Sequence, residues 1–414
     1  MVVEPAASPR PSRTAEQQQQ RPSTGIDGWQ RHEQPVLSAL TALIARQGWC
    51  SVELYSPSVV YHDGRFKMWF LGSHDRTRSG TMNLGYAESE TGVSGWVPHP
   101  ANPILTAEDL PEQITGWNTP HVLWDEEEGQ FRMFFCGLEH DDSSDEAARL
   151  APVTKVRVRQ SLGTATSRDG LRWEVRQEVL RYCVRSPCVL KEGPRRYVMW
   201  ANADGDPPPD GWLPTIPGSA RHDLGESIYR FVSADGLQWE RDAAPALTSE
   251  EAGQRSIVCK PQRHSMSPSD CRLPARLLSV CCWLVADPFV ARDGRARGYR
   301  MWFGCHRPPE KTGSPIYPSG HFEIFSASSE DGRRWTCDSR TAPAFSASRD
   351  VDLFDGRFVS TPRVVAARGQ QMLFYSARDC GTLYGAGDGT VRADSAGVYR
   401  HIGVAVRAVP AAAM

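Results

Sequence analysis

Apolar and polar positions alternate with a period of two in short paired runs along this chain, and the pairs recur. The first run of each pair carries a proline, any residue and then a valine. The copies are "YSPSVV" at 55–60, "NTPHVL" at 118–123, "RSPCVL" at 185–190, "ADPFVA" at 286–291 and "STPRVV" at 360–365. A charged or Gly-containing turn follows each, and then a second apolar run: "FKMWFLG", "FRMFFCG", "RYVMWAN", "YRMWFGC" and "QMLFYSA". Alternation on both sides of a tight turn predicts a β-hairpin with one face against a core. Five such hairpins in one chain predict a repeat architecture.

A second motif follows four of the copies. "TSRDGLRW" (166–173), "VSADGLQW" (232–239) and "SSEDGRRW" (328–335) are close relatives, and "SETGVSGW" (89–96) is a looser one. Asp-Gly suits a tight turn, and the Trp is placed to pack against a neighbouring sheet. A short outer strand follows each Trp: "NPIL", "QEVL", "APAL" or "APAF". The fifth copy lacks this tail, but "DGWQRHEQPVL" at 27–37 has the same Gly-Trp and Pro-x-Leu pattern. The expected fold is therefore all-β: a five-bladed β-propeller over residues 27–408, with four strands per blade, closed by an N-terminal strand. Closure of that kind removes edge strands.

The prolines of the repeat are unevenly spaced, and the longest gap runs from Pro187 to Pro288. Within it, residues 250–283 lack strand rhythm and are dense in Cys and Pro. They read as a surface insertion between the third and fourth blades, or as retained non-coding sequence. Residues 1–26 are polar and rich in Pro and Gln, and residues 409–414 form a short end piece. Both are expected to be tails.

Composition adds exclusions. A net charge of −2 gives no electrostatic footprint for nucleic acid or an acidic membrane surface. No apolar run approaches the roughly 18 residues that span a bilayer, and the N-terminus lacks a signal-peptide core. The eleven cysteines are scattered, without zinc-ligand spacing, and read as buried thiols. A cytoplasmic, monomeric protein is expected, with no metal and no cofactor; no dinucleotide or phosphate-loop fingerprint is present.

In a propeller the innermost strand of each blade lines a central channel, so polar residues on those strands converge. Glu53, Asn118, His121, Arg185, Asp287 and Arg363 form that set, with Glu139 and His140 at a second-strand end and Trp117 as a candidate aromatic platform. Arg and Asp are rarely buried without a partner or a purpose. A structural ion pair of Arg185 with Asp287 or Glu53 is the plain alternative. Glu53 and Asp287 are candidate bases, and His121 a candidate proton donor titrating near neutrality. Arg185, Trp117, Asn118, Glu139, His140 and Arg363 are candidate substrate-binding groups.

"SPSVVYHDGRFKMWFLG", "GYAES", "TPHVLWDEEEGQFRMFFCG", the three "DGxxW" turns and "ADPFVARDG" resemble the five-bladed propeller glycosidases, the superfamily of glycoside hydrolase families 43 and 32. The resemblance spans roughly residues 27–407 and is specific for the fold. It implies three carboxylates at the channel mouth, two of them an acid and base pair. At the matching positions this chain has Ser56 before the first-blade proline and His121 after the second. The third position has Ser186, with Arg185 retained before it. Asp287 carries the family's local pattern, but in the fourth blade. The expected function is action on a sugar or sugar-like small molecule through a rearranged site. The alternatives are non-hydrolytic chemistry, such as cyclisation or elimination, and non-catalytic glycan binding.

Overall fold

A computed structural model describes residues 26–41, 48–74, 82–110, 116–140, 158–181, 184–203, 227–248, 251–252, 285–293, 298–307, 321–350, 352–379, 383–385, 391–393 and 399–408. The tails and nearly all of the 250–283 segment lie outside them. The described chain is all-β, with one 3-10 turn at Ala107–Asp109 and no α-helix.

The strands pair as groups in chain order. The first is Glu53–His62, Arg65–Ser73, Asn83–Ser89 and Val97–Pro98. The second is Gly116–Asp125, Gln130–His140, Val158–Ser167 and Glu174–Arg181. The third is Val184–Gly193, Arg196–Ala203 and Ser227–Ser233, with Glu240–Arg241 and Leu247–Thr248 on its outer side. The fourth is Val285–Arg292, Tyr299–Arg307, His321–Ser329 and Thr336–Cys337. The fifth begins Phe358–Ala367, Gln370–Arg378 and His401–Ala408. Its outer strands come from the other end of the chain: Gln30 lies opposite Val406, and Leu37 opposite Ile402. The pairings within each group are antiparallel, and the first strands of the groups lie side by side in order, the fifth beside the first.

Aromatic side chains fasten each group to the one before it. The Asp-Gly turns bring Trp173 to 5.9 Å from Trp69, Trp239 to 5.8 Å from Phe134 and Trp335 to 6.1 Å from Trp200, in ring-centroid distance. Trp96 of the first group meets Phe374 of the fifth at 5.8 Å. Trp29, from the N-terminal segment, meets Trp302 of the fourth group at 6.4 Å. Within each Asp-Gly turn a serine hydroxyl accepts the glycine amide, as from Gly170 to Ser167 and from Gly332 to Ser329, both at 2.8 Å. Gly170 and Gly332 have positive φ, and a Cβ on either would stand 2.8 Å from the indole of Trp69 or Trp200. Glycine is required there on both counts. Those two indoles donate to the carbonyls of the same glycines at 2.8 Å. Trp335 is buried, whereas Trp173 and Trp239 are half-buried.

Candidate functional site

All five proline-bearing strands break register at the same place. The ladder skips between Tyr55 and Ser58, Asn118 and His121, Arg185 and Cys188, Ala286 and Phe289, and Ser360 and Arg363. Each skip is a β-bulge, and the residue before its proline has a positive φ: Ser56 54°, Thr119 43°, Ser186 53°, Asp287 54° and Thr361 48°. This conformation costs a non-glycine residue on the order of 1–3 kcal/mol, and a bulge re-aims the side chains on either side of it. Lateral hydrogen bonds hold the bulges. The amide of Ser56 donates to Ser376 Oγ at 2.8 Å, that of Ser186 to Thr119 Oγ1 at 3.0 Å and that of Asp287 to Asn202 Oδ1 at 3.0 Å.

The bulges sort the inner-strand side chains into levels. Just after the prolines, Ser58 Oγ accepts the amide of Val122 at 2.8 Å and Cys188 Sγ that of Val290 at 3.1 Å, each tying one inner strand to the next. At this level the His121 and Phe289 rings, from the second and fourth groups, have centroids 6.4 Å apart. The Arg363 guanidinium lies 5.8 Å from the Phe289 ring. His121, Phe289 and Arg363 thus lie close together at this depth.

His121 is 5% exposed, and its Nε2 lies 2.9 Å from the carbonyl oxygen of Val189. Burial and the Arg363 charge push its pKa down to about 3. The expectation that His121 titrates near neutrality as a proton donor is thus overturned. It is a neutral imidazole that donates through Nε2, and its buried Nδ1 has no hydrogen-bond partner among the described residues.

A second level holds the residues at and before the bulges. Asp287 is 5% exposed, and its Oδ1 accepts the hydroxyl of Ser186 at 2.5 Å. No ion pair joins Asp287 to Arg185 among the described residues. Tyr55 donates to Asn118 Oδ1 at 3.2 Å and stacks on Tyr399 at 5.9 Å, and Ser360 donates to the Tyr399 hydroxyl at 2.7 Å. Burial raises the Tyr55 pKa far above its ordinary value. The charges of Glu53 and Asp287 push it further up, and that of Arg185 pulls it down. Glu53, Arg185 and Asp287 are therefore each near enough for their charges to act on the Tyr55 hydroxyl, which itself bonds Asn118. The side chains of Trp117, Glu139 and His140 lie outside the described residues.

Sequence reasoning missed two members of this mouth. Tyr55 occupies the place of Asn118 and Arg185 in its repeat, so aligning the copies would have found it. Tyr399 precedes the final strand, where no repeat motif marks it. Its backbone carbonyl accepts the amide of Leu54.

Comparison with solved structures follows from this geometry. The catalytic domain of the Coprinopsis cinerea GH62 α-L-arabinofuranosidase superposes with a TM-score of 0.52 at 11% identity, covering 93% of this chain and 98% of that one. A glycosyl hydrolase from Bacteroides ovatus gives 0.55 at 13% identity, over 94% and 97% of the two chains. An N-acetylgalactosamine deacetylase from F. plautii, solved with blood group B trisaccharide, gives 0.55 at 14% identity, over 93% and 97%. This chain has the fold of the β-propeller glycosidases. No family model and no curated protein sequence matches it. The likeness to propeller glycosidases thus extends over most of the chain at low identity, and it is a likeness of fold.

Proposed function

We propose that this chain is a five-bladed β-propeller, closed by its N-terminal segment, that acts on a saccharide or sugar-like small molecule at the channel mouth. The observation that carries the reading is the grouping of Glu53, Arg185 and Asp287 about Tyr55, on inner strands shaped by five equivalent bulges. Glu53 and Asp287 form the carboxylate pair that acid–base chemistry at a sugar requires. Ser186 fixes the orientation of the Asp287 carboxylate, as a base requires. Arg185 and Asn118 hold hydroxyl or acidic groups of the substrate, and Tyr55 with Tyr399 offers a stacked aromatic wall. The acid lost at Ser56 and Ser186 is replaced, in this reading, by Asp287 at the equivalent position of the fourth repeat.

A non-hydrolytic reaction on the same class of substrate is the second reading. It is favoured by the serines at two positions where the family resemblance implies acids. A sugar deacetylase shares this fold, so the architecture accommodates chemistry other than glycosidic cleavage.

The test is turnover of a panel of aryl glycosides and acylated sugars, with product identification. Glu53→Gln and Asp287→Asn should each abolish the activity found while leaving the melting temperature within a few degrees of the parent. Full activity in both variants would refute the pair. A large loss of stability in both would assign the two carboxylates to a structural role.

A further inference from the structure

Arg363 is 1% exposed, yet among the described residues no carboxylate lies within ion-pair distance of it. Among the described residues its guanidinium makes one hydrogen bond, from Nη1 to the carbonyl of Pro362 at 2.8 Å, and its buried Nε makes none. Asp287 is near enough for its charge to act on Arg363, but its Oδ1 is taken by Ser186. A guanidinium taken out of water with so few partners carries a large desolvation cost. Close to it, His121 presents a buried Nδ1 acceptor that is also unpartnered. Arg185, half-buried at the mouth above, has an unpartnered buried Nε as well. Two cations and one acceptor, on the second, third and fifth inner strands, thus carry buried polar atoms with no hydrogen-bond partner among the described residues, about the space between those strands.

We propose that this space binds an oxyanion, with Arg363 as its countercharge at the floor and Arg185 at the entrance. The inference rests on reading the mouth as the substrate site, and it names the substrate as acidic. The group is the carboxylate or phosphate of an acidic sugar, or free inorganic phosphate acting beside a neutral one. Arginine suits the task, because its planar donors match a carboxylate or phosphate and such charge-assisted bonds are strong away from water. A monoprotonated phosphate satisfies both groups at the floor, accepting from Arg363 and donating to His121 Nδ1. A carboxylate satisfies the arginines alone.

The full-length protein is titrated with sodium phosphate, sodium glucuronate, a hexose 6-phosphate, neutral glucose and sodium chloride. Ionic strength is matched throughout, and melting temperature and heat of binding are read. The expected result is a concentration-dependent rise in melting temperature with at least one oxyanion and none with chloride. A response to phosphate alone assigns the free ion, and a response to glucuronate or the hexose phosphate assigns the acidic sugar. Arg363→Met should weaken that binding by roughly tenfold or more. Without ligand it should melt at or above the parent temperature, because it removes an uncompensated buried charge. Arg185→Met should weaken binding without raising the melting temperature of the free protein. Equal shifts with chloride and with oxyanions, or none with any of them, would overturn the proposal. If glucose alone bound, the saccharide reading would stand and the oxyanion would fall. If an oxyanion bound while Glu53→Gln and Asp287→Asn kept full turnover, the reverse would hold.

Discussion

At the scale of single residues, the chain places buried ionisable groups where acid will find them. His121 is held neutral by burial and by Arg363, with its pKa at about 3 against roughly 6.5 in an unfolded chain. Because the folded value is the lower one, the unfolded state takes up the proton first as pH falls. The stability that His121 contributes is therefore complete above about pH 6.5 and is lost progressively toward pH 3. Asp125 works in the same direction lower on the scale. It is 1% exposed, and burial pushes its pKa up. That is outweighed by hydrogen bonds from Lys191 at 2.5 Å and Tyr197 at 2.9 Å, which leave the carboxyl below its usual range. Its contribution is present above about pH 4 and fades as the pH drops through the folded value. Denaturant melts at pH 7, 6 and 5 isolate the histidine. The parent should lose up to about 1.4 kcal/mol per pH unit from this group, and His121→Gln should flatten that slope. Equal slopes would mean that His121 is protonated in the folded protein.

At the scale of the element, the Asp-Gly-x-x-Trp turns were legible in the sequence because their chemistry is local. Asp169, Asp235 and Asp331 each accept two backbone amides within their own turn. What local pattern does not specify is how far each indole sinks into the neighbouring group. Trp335 on Trp200 is buried, whereas Trp173 on Trp69 and Trp239 on Phe134 are half-buried. Trp335, 8% exposed, should cost about 3–5 kcal/mol when cut to alanine. The half-buried Trp239 should cost about half as much, because less apolar surface returns to water. Urea midpoints at unchanged m-value measure both. An equal loss at the two sites would show that the turn, not the burial of the ring, sets the energy.

At the scale of the whole molecule, the N-terminal segment binds far from its place in the chain. Asp27 pairs with Arg300 of the fourth group at 2.7 Å and with Arg407 of the fifth at 3.3 Å, and accepts the indole N–H of Trp302 at 3.1 Å. Arg31 pairs with the buried Asp355 at 2.5 Å. The pairing of residues 27–37 with the last strand was readable because Gly28, Trp29 and Leu37 repeat a pattern found after four other hairpins. The site was readable only in part. That Glu53, Arg185 and Asp287 lie on the proline-bearing strands followed from the alternation, whereas the depth of His121 followed from the bulge, which no single proline reveals. Removing residues 1–24 should leave the cooperative melt nearly unchanged. Removing 1–40 should abolish it, since the fifth group then loses its outer strands and the ion pairs of Asp27 and Arg31. A 41–414 protein that melts cooperatively near the parent temperature would show that these contacts are dispensable.

The antiparallel register of Gln30 with Val406 has a consequence for how the chain is threaded. It brings the end of the final strand beside the residues that precede Gln30, where Arg407 donates to the Asp27 carbonyl at 3.1 Å. In the fourth group the same place is an unbroken hairpin, with Ala327 opposite Cys337 and an Asp-Gly turn between them. The gap in the fifth group thus lies where a short turn would make the backbone continuous. The starting point of the polypeptide is accordingly a matter of covalent order and not of architecture. A chain reading from the second group round to the first, with Ala408 joined through a short turn to Asp27, would trace the same strands and keep the ion pairs of Asp27.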